Sequence, residues 1–178
     1  MSKTAHFLIK HFNNSLDLYS AKTKLYSSRW FMDFGRFGSE IFNAEEKNIY
    51  SISKKFQFWK WKMVFTIKQN NKKLTELFSK NNRYTVYSAD LKGDSYQIKI
   101  HYNKKTSIFK NGEKIAEFDA SILDNNQEQS IQLQLLDITN LESCFLLFSC
   151  LKIGEIEQKS KTILSSQKKL EINEDPWT

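Results

Sequence analysis

The chain has 178 residues, 40% of them hydrophobic and 14% aromatic, with 27 basic against 20 acidic side chains for a net charge of +7. That composition excludes a disordered or fibrous chain and suits one domain with a substantial core. Two cysteines, and no run of the roughly 18–20 apolar residues that cross a bilayer, exclude a disulfide scaffold and a membrane-spanning helix. The charge is unevenly spread: residues 47–110 net +12, whereas residues 111–154 net −5. Asymmetry of that size can build a local positive field for an anionic partner.

Met1 to Lys10 has neither the apolar core nor the cleavage site of a signal peptide. With so few cysteines, this gives the expectation of a cytoplasmic protein. Strands are expected at 5–12, 16–20, 29–34, 39–43 and 48–54. Asn13-Asn14, Asn70-Asn71, Asn81-Asn82 and Asn125-Asn126 supply turns in a chain with one Pro and five Gly. The clearest alternation places Trp59, Trp61, Met63, Phe65 and Ile67 between Lys60, Lys62, Val64, Thr66 and Lys68. Period two over that length predicts a strand with one buried face. Further strands are expected at 73–79 and 84–88, and the same alternation recurs at Tyr96, Ile98 and Ile100. Ser107 to Phe109 and Lys114 to Phe118 flank Asn111-Gly112, a hairpin turn whose residues tolerate positive φ. Ile131, Leu133 and Leu135 alternate with glutamines. Many short strands on tight connections point to a meander or barrel.

The pattern breaks after Asp137. Thr139 or Asn140 can cap a helix from Leu141 to about Ile153, with Gly154 as its stop. Cys144 to Leu151 is apolar on every side, so this helix has no solvent face. Its apolar part spans about 15 Å, half a bilayer core, so protein must surround it. A sheet curled around it meets that need. Cys144 and Cys150 lie about 240° apart around the helix and cannot pair with each other. The expected division is a domain over 1–154 and a polar, partly ordered extension over 155–178.

A β meander that ends in an enclosed hydrophobic helix resembles the tubby C-terminal-like superfamily. That group includes tubby proteins, phospholipid scramblases and the plant LURP-one-related proteins. The residues that carry the likeness are Ile49 to Ile67, Tyr96 to Phe118 with its Asn111-Gly112 turn, and Leu141 to Leu151. It is a likeness of layout over roughly residues 5–153. It implies a closed antiparallel barrel of about 12 strands around one central helix, near residues 140–153, and action at membranes. No segment aligns with the tubby headgroup pocket, so no binding residue is carried over. The extension beyond the helix also departs from the family, whose members commonly end there.

Catalytic and metal signatures are missing from the sequence. His6, His11 and His101 are far from convergent spacing, and there is no Cys-x-x-Cys, His-x-His, nucleophile elbow or phosphate-binding Gly-rich loop. Gly35-Arg36-Phe37-Gly38 reads as a turn. The expectation is a non-enzymatic binding domain with no cofactor. Lys54-Lys55-Phe56-Gln57-Phe58-Trp59-Lys60-Trp61-Lys62 interleaves aromatics with lysines, which suits anionic headgroups with interfacial rings, or phosphates with stacked bases. The favoured alternative turns Trp59 and Trp61 into the core and leaves Lys60 and Lys62 as an ordinary wet face. The expected lipid-binding strip is Lys54, Lys55, Lys60 and Lys62, with Lys72, Lys73, Lys104 and Lys105 at nearby turns. An anionic phospholipid surface leads the partner classes, before a protein partner and single-stranded nucleic acid.

Overall fold

A computed structural model describes residues 4–102, 104–121 and 129–154. Twelve strands follow in chain order: β1 (Ala5–Phe12), β2 (Ser15–Ser20), β3 (Thr23–Asp33), β4 (Arg36–Asn43), β5 (Asn48–Gln57) and β6 (Lys62–Gln69). The second half comprises β7 (Lys72–Ser79), β8 (Val86–Leu91), β9 (Asp94–Ile100), β10 (Lys105–Lys110), β11 (Glu113–Asp119) and β12 (Gln129–Leu135). Each strand pairs antiparallel with its sequence neighbour, and β1 pairs with β12 from Ala5 opposite Leu135 to His11 opposite Gln129. The sheet is therefore a closed barrel.

An up-and-down barrel has two ends. The β1–β2, β3–β4, β5–β6, β7–β8 and β9–β10 turns lie at one, here the mouth, and the β2–β3, β4–β5, β6–β7, β8–β9 and β10–β11 turns form the foot. After β12 a 3-10 turn over Ile138–Asn140 leads into α1 (Leu141–Lys152). This helix runs up the barrel axis, with Leu141 and Ser143 to Cys150 buried. Inward residues of every strand surround it. Ile9, Leu16, Leu18, Ile67, Leu77, Ile98, Ile108, Ile131 and Leu133 are all withdrawn from water. The Phe148 ring stacks on Phe118 with centroids 3.9 Å apart and planes 4° from parallel. An all-apolar helix finds apolar partners on all sides, so its backbone polarity is met internally and its side chains by the sheet.

Both helix ends are tied to the wall. At the foot the Tyr50 hydroxyl donates to Glu142 at 2.5 Å, and Lys110 reaches Asn140 at 3.2 Å and Asp94 at 2.9 Å. At the mouth Lys54 donates to the Ile153 carbonyl at 2.7 Å. A cation there suits the negative end of the helix dipole. Gly154 then leaves at φ +78°, the left-handed conformation that commonly ends a helix.

Four expectations are corrected. Of Gly35-Arg36-Phe37-Gly38, read as a turn, only Gly35 turns, because Arg36 to Gly38 open β4 and pair with Phe31 to Asp33. The strand read from Trp59 begins only at Lys62, because Phe58–Lys60 forms a 3-10 turn and Trp61 closes it in the left-handed region. β3 starts at Thr23 rather than at 29, and the strand placed at 84–88 runs over Val86–Leu91. The extension at 155–178 and the Asn125-Asn126 turn lie outside the described residues.

Candidate functional site

Exposed apolar side chains gather at the mouth. Phe12, Phe31, Met32, Phe34, Phe37, Phe58, Trp59, Trp61 and Tyr102 belong to mouth turns or the strand ends beside them; at the foot, Leu136 and Ile138 are the exposed large apolar residues among those described. The β3–β4 and β5–β6 tips carry the most exposed of them. Phe34 is 99% exposed, Trp59 79% and Trp61 66%. The outward position of Trp59 and Trp61 overturns the alternative that turned them into the core. The alternation is real only from Met63 onward, where Phe65 and Ile67 face inward.

The backbone at these tips is unusual for its side chains. Phe34 has φ +44° and Trp61 φ +47°. Left-handed backbone costs an L-residue with a bulky side chain about 1–2 kcal/mol, and Gly or Asn normally takes such positions. Elsewhere in the barrel Asn13, Asn70, Asn71 and Asn111 do so, beside Ala21, Glu46, Lys92, Lys104 and the partly buried Tyr84. Two bulky aromatics held out in water on strained backbone are poor choices for folding.

Cations surround them. Residues 31–37 and 54–63 hold Arg36, Lys54, Lys55, Lys60 and Lys62 against a single acid, Asp33. The side chains of Arg36, Lys55 and Lys60 make no ion pair or hydrogen bond among the described residues. Lys62 lies over the Phe78 ring at 5.4 Å. The salt bridges among the described residues are elsewhere, as in Lys24–Glu46 at 2.5 Å, Lys114–Glu117 at 2.6 Å and Lys92–Glu142 at 3.4 Å.

The expected strip is only partly assembled. Lys55 and Lys60 are exposed at the mouth, and Lys104 is exposed in the β9–β10 turn at the same end. Lys54 follows Tyr50 and Ile52 on the inward face of β5, where Ile153 engages it. Lys105 is half-buried between Glu117 at 3.4 Å and Asp119 at 3.7 Å, so its charge is already matched. Lys72 and Lys73 start β7 at the foot, with Lys73 paired to Glu76 at 2.8 Å. Neither belongs to the mouth. Sequence reasoning missed Met32, Phe34 and Arg36; the signal was a Phe at a turn tip that offers Gly35 beside it.

Between the two tips lies a cleft of about 380 Å³, lined by Gly35, Arg36, Phe37, Lys54, Lys55, Phe56, Phe58, Met63 and Gly154. Compared with protein-family models, curated proteins and solved structures, the chain matches none.

Other chemistry finds less support in the geometry. His101 Nε2 and Ser107 Oγ lie 2.9 Å apart, but both are buried away from any substrate. Burial pushes the Cys144 thiol up to about 12 and raises Cys150 as well, which keeps both protonated and poorly nucleophilic. Among the described residues no cluster of His, Cys, Asp or Glu is placed to hold a metal, and no helix is long and apolar enough to cross a membrane.

Proposed function

We propose that this protein is a non-enzymatic, peripheral membrane-binding domain that lays the mouth of its barrel on an anionic lipid surface. The observation that carries this reading is the pair of strained, exposed aromatics, Phe34 and Trp61, among cations that have no acidic partner. Aromatic rings settle at the headgroup level, while each nearby Lys or Arg adds about 1 kcal/mol of attraction to an acidic leaflet. Arg36, Lys55, Lys60 and Lys62 are the contact charges. The barrel closed around a helix also supports kinship with the tubby C-terminal-like superfamily, whose members act at membranes. A cytoplasmic leaflet is the anionic surface we assign, in keeping with two unpaired thiols.

Sedimentation with vesicles tests the reading. Binding to phosphatidylserine vesicles is expected, with little to phosphatidylcholine and a decline as salt rises. Changing Arg36, Lys55, Lys60 and Lys62 together to Gln should abolish it. Retention of binding by that variant rejects the assigned surface. Preference for a single-stranded oligonucleotide over vesicles would favour base stacking on the same rings, and binding to neither would leave a protein-interaction module.

A further inference from the structure

The cleft at the mouth has the character of a single-molecule site, which goes beyond contact with a surface. Its walls are apolar: Phe37 on one side, Phe56, Phe58 and Met63 on the other. Phe56 and Phe58 meet edge to face at 4.9 Å, and Trp61 closes on Phe56 at 6.1 Å, so the far wall is braced. Gly154 forms part of the lining, and any Cβ there would press on the Phe37 ring at 3.3 Å. The width of the cleft beside Phe37 thus depends on that glycine.

Charge selects the occupant. The C-terminal carbonyls of α1 end beside this cleft and would repel an anion. Lys54 cancels that repulsion by binding the Ile153 carbonyl, and sits 5.9 Å over the Phe37 ring. Arg36 and Lys55 are left on the rim with no acid engaged. An apolar slot with two uncommitted cations at its opening complements a molecule with an alkyl chain and an anionic head. A volume of about 380 Å³ falls at the small end of ligand sites. We infer that the cleft between the β3–β4 and β5–β6 tips binds one single-chain anionic amphiphile, its chain between Phe37 and Phe56 and its carboxylate or phosphate on Arg36 and Lys55.

Calorimetry with dodecanoate, below the concentration at which it forms micelles, tests this on the full chain. One molecule should bind per chain, while butanoate and dodecyltrimethylammonium should not bind measurably. Arg36→Glu with Lys55→Glu should weaken dodecanoate about tenfold or more. Met63→Trp, which fills the slot from β6, should block dodecanoate yet leave vesicle binding in place. Phe34→Ser, outside the slot, should do the reverse. Circular dichroism verifies that each variant is folded. Failure of dodecanoate to bind overturns the inference, as does equal uptake of the trimethylammonium or binding that survives Met63→Trp. Self-association that disappears on Phe37→Ser would also overturn it, by giving the cleft to a second copy. Vesicle binding without dodecanoate uptake removes the slot alone; dodecanoate uptake without vesicle binding removes the membrane reading alone.

Discussion

The Tyr50 hydroxyl donates to Glu142 at 2.5 Å and so fastens the first turn of α1 to the inner wall of β5. Tyr26 adds a weaker contact at 3.4 Å. Burial, then the bond and the charge of Glu142, raise the Tyr50 pKa above its ordinary value of 10. The folded state therefore holds this proton more tightly than the unfolded chain. The stabilisation is complete below pH 10 and is lost as the pH rises beyond it. Tyr50→Phe should cost about 1 kcal/mol at neutral pH. It should also flatten the alkaline fall in stability, which urea unfolding across that pH range would measure.

The stacked pair Phe118 and Phe148 sits where the helix is fully enclosed. Phe148→Ala should cost about 3–5 kcal/mol through lost burial and an unfilled cavity. Phe148→Leu should cost clearly less. Denaturant midpoints that rank the two variants the other way would contradict an enclosed helix.

One seam of the barrel is thin. β7 and β8 pair at Phe78 with Ser88 and Ser79 with Tyr87, the Lys80 N–H adds a bond to the Val86 carbonyl at 2.8 Å, and the Thr75 hydroxyl bridges to the Asp90 carbonyl at 2.5 Å. By contrast β5 and β6 pair continuously from Ser51 to Gln57. Amides of β7 that face β8 should exchange hydrogen faster than those between β5 and β6. Thr75→Val keeps the shape, removes the bridge, and should speed that exchange about fivefold.

Phe34 tests whether the mouth is built for contact. Phe34→Gly relieves left-handed strain and loosens the unfolded chain, effects that nearly cancel. Stability should stay within about 0.5 kcal/mol of the parent. Affinity for phosphatidylserine vesicles should fall about tenfold, the value of burying one Phe ring. A large loss of stability with binding intact would make Phe34 a folding residue.

Much of this architecture was legible in the amino acids. The alternation at 5–12, the Asn111-Gly112 turn and the all-apolar run after Asn140 each have one physical solution, and the barrel adopts it. The β5–β6 tip was not legible, because aromatics alternate with lysines straight through the turn and imitate a strand. No Gly, Pro or Asn interrupts residues 58–61. Lys54 was legible in retrospect, since it shares a period with Tyr50 and Ile52. Lys72 and Lys73 could be assigned to an end only once the direction of each strand around the closed sheet was known. Phe34 and Arg36 entered the site through tertiary proximity, which no local pattern encodes.

The pairing of β1 with β12 also governs how this protein is made. The barrel's first strand leaves the ribosome and waits, with one edge open, for a partner more than a hundred residues downstream. The helix that fills the centre arrives later still. Assembly is therefore dominated by long-range closure, which is slow, and the newborn sheet is at its most adhesive just before its own plug is delivered.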